Sequence, residues 1–329
     1  MISSVAFRNF KALRAASLTL GPFNLFIGPN GSGKTSLIQA LLRLRTLSRL
    51  PLADPQAASE AAKQAGPEIA FRFSPPHAGI AARLGCISDY ACDLLVIAPA
   101  DAPGWPALRA DISGIRTYLF DYYAMAEPAP LSSGTVLASN GGNLAAVLAA
   151  FAARAPEAFA AMSAELVRIM PEFAGFEITP GDTAAFTLRL VDGERVSADN
   201  LSQGTLHTIA ILALAFDPGA ASVICIEEID RGVHPRMLRE IRDALYRLSH
   251  PQASGMQRRP VQVIATTHSP YLLDLFRDHP EEIVIAQKHG TEARFERLVD
   301  RPDLAELLQE GSLGDMWFSG VLGGVPEER

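Results

Sequence analysis

The chain has 329 residues, 48% of them hydrophobic and 20% charged, with a formal net charge of −7 and a pI near 5.5. This composition excludes a disordered chain and leaves room for one large or two smaller cores. The acidic balance argues against broad wrapping of nucleic acid, which needs a basic face for counterion release, although a local basic patch is compatible with it.

Cys86, Cys92 and Cys225 show neither C-x-x-C spacing nor paired histidines, so free thiols in a reducing compartment are expected, with no disulfide framework and no zinc site. The first eight residues lack a basic segment followed by an apolar core, and no uninterrupted apolar run approaches about 18 residues. The expected location is the cytoplasm, without membrane contact.

In chain order, residues 4–7 and 17–20 read as strands. Gly21-Pro22 is a turn, and the apolar run 23–27 reads as a buried strand. Residues 28–36, GPNGSGKTS, fit G-x-x-x-x-G-K-[ST], and Leu37, Ile38, Leu41 and Leu42 then recur at helical spacing. A strand, a glycine loop and a helix build a phosphate cradle, because glycines let backbone N–H groups turn inward and the helix N-terminus adds its dipole. Asn30, Gly31, Ser32, Gly33, Lys34, Thr35 and Ser36 are therefore candidate phosphate-binding residues, with Lys34 neutralising the β- and γ-phosphates and the Thr35 hydroxyl ligating Mg²⁺. Lysine occurs only at positions 11, 34, 63 and 288, so Lys34 stands out in a chain whose other cations are arginines. The helix runs to Leu47, and Arg43, Arg45 and Arg49 read as its solvated face.

Residues 51–66 read as an exposed loop or loose helix, and 68–73 as a strand. From 87 to 195 the pattern changes. A strand at 94–98, an aromatic cluster at 112–123 and an Ala-rich helical stretch at 144–170, broken near Pro156, lead to short strands at 176–179, 185–190 and 194–196 with Asp192-Gly193 as a hairpin turn. No heptad array is present. The core resumes after 201 with an apolar helix (206–216), a continuous apolar strand (222–226), an amphipathic helix (236–248), a second buried strand (261–265), a short helix (270–276) and a hairpin around Lys288-His289-Gly290. Alternating strands and helices behind a P-loop predict an α/β fold with a mainly parallel central sheet. An antiparallel β subdomain and a helical insertion complete it. The expected division is 1–75, an inserted region 76–197, 198–290, and a tail 291–329.

Three further stretches carry candidate chemistry. The strand 223–226 ends in Glu227 and Glu228, a carboxylate pair of the kind that holds a metal and activates water in phosphoryl transfer. Strand alternation would point the two side chains opposite ways. Ser202, Gln203 and Gly204 open an apolar helix, where they read equally as a phosphate-binding turn or as a plain helix cap. His268 follows a buried strand, where it is either structural or a γ-phosphate contact.

Together and in this order, these stretches resemble the ABC-type ATPases of the RecF, SMC and Rad50 group, and more closely the compact bacterial AAA-family ATPases related to the ATPase half of OLD nucleases. The likeness covers about residues 1–75 and 200–290 and is weaker at 140–145 and 311–320. It implies ATP and Mg²⁺ as ligands, 28–36 as Walker A, 201–205 as the signature, and Glu227 as the Walker B magnesium carboxylate. It also implies Glu228 as catalytic base, Asp230 with 232–235 as the D-loop, and His268 as the switch histidine. The signature reads LSQGT where transporters usually have LSGGQ, and the Walker B acid is Glu227 rather than aspartate. No glutamine marks a Q-loop, and Asp121 is the nearest stand-in. The tail beyond 290 is too short for a nuclease domain.

The resemblance further implies an ATPase that dimerises head to tail around two ATPs. Ser202 and Gly204 of one copy would cap the nucleotide held by Lys34 of the other. The resulting clamp would regulate a nuclease or Toprim-like effector in DNA repair or anti-phage defence, with nucleic-acid binding an open possibility. The alternative is an ATP-dependent assembly module without turnover. A GTPase or small-molecule kinase is disfavoured, because no [NT]-K-x-D guanine motif occurs.

Overall fold

A computed structural model describes residues 1–52, 66–179, 181–219 and 221–323. In chain order the strands are β1 (Ile2–Phe10), β2 (Leu13–Thr19), β3 (Phe23–Ile27), β4 (Glu68–Phe73), β5 (Ala81–Ser88), β6 (Ala91–Ala98), β7 (Ile115–Tyr118) and β8 (Ala129–Pro130). There follow β9 (Phe173–Thr179), β10 (Thr183–Leu190), β11 (Arg195–Ser197), β12 (Val223–Ile226), β13 (Gln262–Thr267), β14 (Ile283–His289) and β15 (Glu292–Arg297). They fall into two compact units. One comprises the described residues of Met1–Thr117, Ala221–Ile226 and Pro260–Arg329, the other those of Tyr118–Ala220 and Glu227–Arg259.

The first unit holds a six-stranded sheet in the order β15-β14-β3-β13-β12-β7. β14 and β13 flank β3 in parallel, and β12 adds in parallel to β13. β3, β12 and β13 are buried at every residue, which explains why their mainly apolar sequences do not alternate with polar ones: a parallel sheet covered on both faces has no solvent side to alternate toward. A second, antiparallel sheet runs β2-β1-β4-β5-β6. There β2 alternates buried and exposed residues along much of its length, as a sheet with one wet face does. The helix Lys34–Ser48 contributes Leu37, Ile38, Leu41 and Leu44 to one core with Phe7, Phe10, Phe26 and Phe71. Buried Gln262 fastens the chain start to this core, donating to the carbonyls of Ile2 and Gly21 and accepting from the Ile2 N–H.

The second unit packs the helices Leu144–Arg154, Pro156–Ile169, Gln203–Phe216 and Leu238–Ser249 with an antiparallel sheet in which β10 pairs with β8, β9 and β11. Pro156 sits at the start of its helix, as the expected break requires, because a missing N–H costs nothing there. Glu165 pairs with Arg168 and Arg247, and Arg168 also with Glu240, linking two of the helices across their surfaces.

Several expectations are corrected. Cys86 and Cys92 are joined as a disulfide, not free: the β5–β6 register sets them opposite one another, and only Cys225 is a free thiol, buried in β12. β5 was not expected, since Ala81, Ala82 and Gly85 dilute its alternation, yet its residues 81–85 pair with β4. The β14–β15 turn lies at 290–291, because pairing continues to His289 opposite Glu292. Most of the loop read at 51–66 lies outside the described residues. The longest described helix, Lys34–Ser48, has 15 residues, so no coiled-coil arm occurs among the described residues. None of the described helices is long and apolar enough to cross a membrane.

Candidate functional site

β3, β13 and β12 are neighbours in one parallel sheet, so all three finish at the same edge, with Ile226 opposite Ala265 and Thr267 opposite Ile27. β3 runs into the glycine loop and β13 into exposed His268, while Glu227 is the residue that follows β12. The carboxyl edge of a parallel sheet is where α/β proteins gather their ligand-binding loops.

The glycine loop is shaped by its surroundings. Gly31 and Gly33 have positive φ angles of 77° and 93°, which L side chains adopt at a cost. A side chain at Gly28 would place its Cβ 2.1 Å from the Ala286 carbonyl oxygen, and one at Gly33 would meet Leu13, Ala293 and Phe295. The hairpin β14–β15 is thus the wall against which the loop is moulded. The sequence reading missed this role, because it depends on β14 docking in parallel on β3.

Lys34 is buried, and its ammonium donates to the carbonyls of Gly28 at 2.7 Å and Pro29 at 2.9 Å. The Ser32 side-chain oxygen is buried and has no hydrogen-bond partner among the described residues. A buried hydroxyl without a partner loses solvation and gains nothing in return, so a ligand oxygen at this spot would satisfy it. The helix beginning at Lys34 has no side-chain cap and no acid in its first turn, so the positive end of its dipole is not neutralised from within. Asn30 and Thr35 are exposed and Ser36 partly so. These features fit a polyphosphate, and Thr35 offers a hydroxyl for Mg²⁺. Among the described residues no cluster of three or more His, Cys, Asp or Glu is placed to hold a metal ion.

The second unit carries the other candidates. Both carboxylates lie beyond β12, so strand alternation does not set their directions. Glu227 donates its backbone N–H to the Tyr118 carbonyl at 2.8 Å, and Glu228 turns the chain with a φ of 54°, left-handed for a non-glycine residue. Arg231 lies 3.7 Å from the Glu228 carboxylate, both about half exposed. Ser202 caps the helix Gln203–Phe216, its oxygen accepting from the Thr205 N–H at 3.1 Å and lying 2.8 Å from the Thr205 hydroxyl. The cap reading of this serine is therefore realised. Gly204 packs so closely on Gly232 that a Cβ would lie 2.6 Å from its carbonyl oxygen, and a Cβ on Gly232 would lie 2.6 Å from the Gln203 side chain. The signature-like and D-loop-like segments are thus in direct contact. Behind them His207 is buried, stacked edge-on to Phe120 and bonded to the Ile229 backbone, with Nε2 unpartnered among the described residues. Burial above all, with a smaller push from Arg231, lowers its pKa to about 4 against a raising effect of Ile229. Asp121 is a helix cap that accepts from the Ala124 N–H at 3.1 Å.

Residues 144–274 match the family described as AAA domain, putative AbiEii toxin, Type IV TA system, and residues 1–73 match the AAA ATPase domain family. No curated protein matches the chain significantly. Among solved structures, an SMC head bound to the C-terminal winged-helix domain of ScpA is similar at a TM-score of 0.60 and 13% identity, covering 90% of this chain and 97% of that one. The SMC head domain from Thermotoga maritima gives 0.52 and 12%, covering 90% and 98%. An SMC head with an extended coiled coil bound to the C-terminal domain of ScpA, derived from Pyrococcus furiosus, gives 0.58 and 11%, covering 94% and 99%. The chain thus shares the ABC-type P-loop fold of SMC heads and carries two segments that match AAA ATPase family models.

Proposed function

We propose that the protein binds ATP with Mg²⁺ in the loop Asn30–Ser36 and hydrolyses it, working as a nucleotide-driven clamp between two copies of the chain. The observation that carries this reading is the loop itself: the buried Lys34 ammonium donating to its own loop's carbonyls, beside the buried Ser32 hydroxyl, which is unpartnered among the described residues. Lys34 would exchange those carbonyls for phosphate oxygens, a stronger charge-assisted pairing. Mg²⁺ on Thr35 and Glu227 would offset phosphate charge. Glu228 would take the proton of the attacking water, and His268 would contact the γ-phosphate. Ser202, Gln203 and Gly204 of a second copy would close over the nucleotide, so that hydrolysis releases the pair.

Two of the SMC heads compared above are bound to ScpA domains. By that likeness this clamp would act on a partner protein, for which a nuclease or Toprim-like effector in DNA repair or anti-phage defence is our reading, with nucleic acid as a further contact. The test is Glu228→Gln. It should retain ATP and accumulate as a dimer on size-exclusion chromatography with light scattering, with phosphate release nearly abolished. An unchanged hydrolysis rate would remove Glu228 from the role of base.

One observation favours a second reading, an assembly module that binds ATP without turnover: Ser202 is already committed to capping its own helix. Steady-state phosphate release by the wild-type protein separates the two.

A further inference from the structure

The pairing of β14 with β3 ends at Ile285 opposite Ile27, where β3 gives way to the glycine loop while β14 continues alongside it. The next residues of β14 therefore follow the loop. The Ala286 carbonyl abuts Gly28, and the Lys288 ammonium lies 3.5 Å from where a Cβ on Gly31 would be, with its δ and ε carbons within 4 Å of the same point. The side chain is thus laid along the middle of the loop. Lys288 is exposed, and among the described residues its ammonium has no ion-pair or hydrogen-bond partner. The neighbouring carboxylates of the hairpin are engaged elsewhere, Glu292 with Arg294 and Glu296 with Gln287. An unneutralised cation is held against a loop that leads into a helix, Lys34–Ser48, with no acid in its first turn.

We infer that Lys288 is a second cationic binding residue for the polyphosphate, supplied by the hairpin and not by the glycine-loop motif. This rests on the proposed nucleotide site and adds to it a residue outside the motif. Lys34 is fixed by burial and reads the phosphates at contact distance. Lys288, on a flexible stem at the surface, raises the potential at the mouth of the loop and pairs with the more exposed phosphate oxygens. Its contribution should grow with the charge of the ligand and shrink with added salt, because an exposed cation is screened where a buried one is not.

The experiment compares wild type, Lys288→Gln, Lys288→Glu and Lys288→Arg by calorimetric titration of the full chain with Mg-ATP, Mg-ADP and tripolyphosphate. Lys288→Gln should bind Mg-ATP about three- to tenfold more weakly at about 0.05 M salt, and Lys288→Glu more weakly still. Lys288→Arg should stay within about twofold of wild type, and the loss should be smaller for Mg-ADP than for Mg-ATP. The gap between wild type and Lys288→Gln should close as salt rises to about 0.5 M. An equal affinity of wild type and Lys288→Gln at low salt overturns the inference, as does a loss of the same size at every salt and for every ligand, which would mark a packing role. Wild-type protein that takes up none of the three ligands removes the nucleotide site and this inference together. Wild type that binds while Lys288→Gln binds identically removes this inference alone.

Discussion

The Lys34 ammonium donates to the Gly28 carbonyl across 2.7 Å and to the Pro29 carbonyl across 2.9 Å, closing the glycine loop on itself. The same lysine is therefore a structural tie in the free protein and a phosphate ligand in the proposed complex. Lys34→Ala should cost about 1–2 kcal/mol of folding stability, the price of two under-satisfied carbonyls. The same change should weaken Mg-ATP about 30- to 150-fold, because it removes a charge-assisted contact. Urea denaturation measures the first and calorimetric titration the second. An equal affinity in wild type and variant would show that phosphate does not displace the carbonyls.

The close fit of Gly28 against β14 gives a prediction independent of any ligand. A methyl at this position would lie 2.1 Å from the Ala286 carbonyl oxygen, and backbone on both sides leaves nothing flexible to give way. Gly28→Ala should destabilise the protein by about 2–3 kcal/mol. Gly79, with open space around it, is the control, and Gly79→Ala should change stability by no more than about 0.5 kcal/mol. Comparable urea midpoints for the two variants would contradict the close packing.

These residues also show what could be read in advance. The glycine loop was legible because three local signals agree: an apolar run, a fixed spacing of Gly33, Lys34 and Thr35, and a switch to helical period at Leu37. The buried strand β12 was legible because it is apolar throughout, and β13 because its middle is. The wall that moulds the loop was not, because the contact of Ala286 with Gly28 follows from pairing between strands far apart in sequence. The Cys86–Cys92 bond was missed since it depends on the register of β5, a strand whose small residues hide its alternation. The left-handed turn at Glu228, two residues past the end of β12, was not legible, because an apolar strand run carries no signal of where its backbone turns.

That left-handed backbone makes its own prediction. A non-glycine residue at a φ of 54° carries about 1 kcal/mol of strain, more if it is β-branched. Glu228→Gly should relieve this strain and leave stability unchanged or raised by up to about 1 kcal/mol, while Glu228→Val should lower it by about 1–2 kcal/mol. Both should lack hydrolysis if Glu228 is the base. Chemical denaturation and phosphate release on the same preparations separate the backbone effect from the chemical one, and a Glu228→Gly protein that is less stable than Glu228→Val would rule out the strain.

The buried imidazole behind the signature-like segment predicts a response to acid. Burial lowers the pKa of His207 to about 4, below the ordinary value near 6.5, with the Ile229 backbone opposing and Arg231 adding to the shift. Between those two values the unfolded chain binds a proton that the folded chain does not. Stability must then rise with pH across that window and fall as the solution is acidified from about pH 6.5 towards 4, by up to about 3 kcal/mol from this group. Above pH 7 the imidazole is neutral in both states and contributes no slope. Replacing it with an apolar group, His207→Leu, removes the proton acceptor, so the difference in unfolding free energy between wild type and variant should change by that amount across the window and be flat above it. Because His207 bonds to Ile229, directly after Glu228, protonation should loosen the segment that bears the proposed base as well. Hydrogen exchange at residues 227–233 should accelerate below about pH 5 in wild type, and identical pH profiles for wild type and His207→Leu would mean that the imidazole is not the acid-sensitive group.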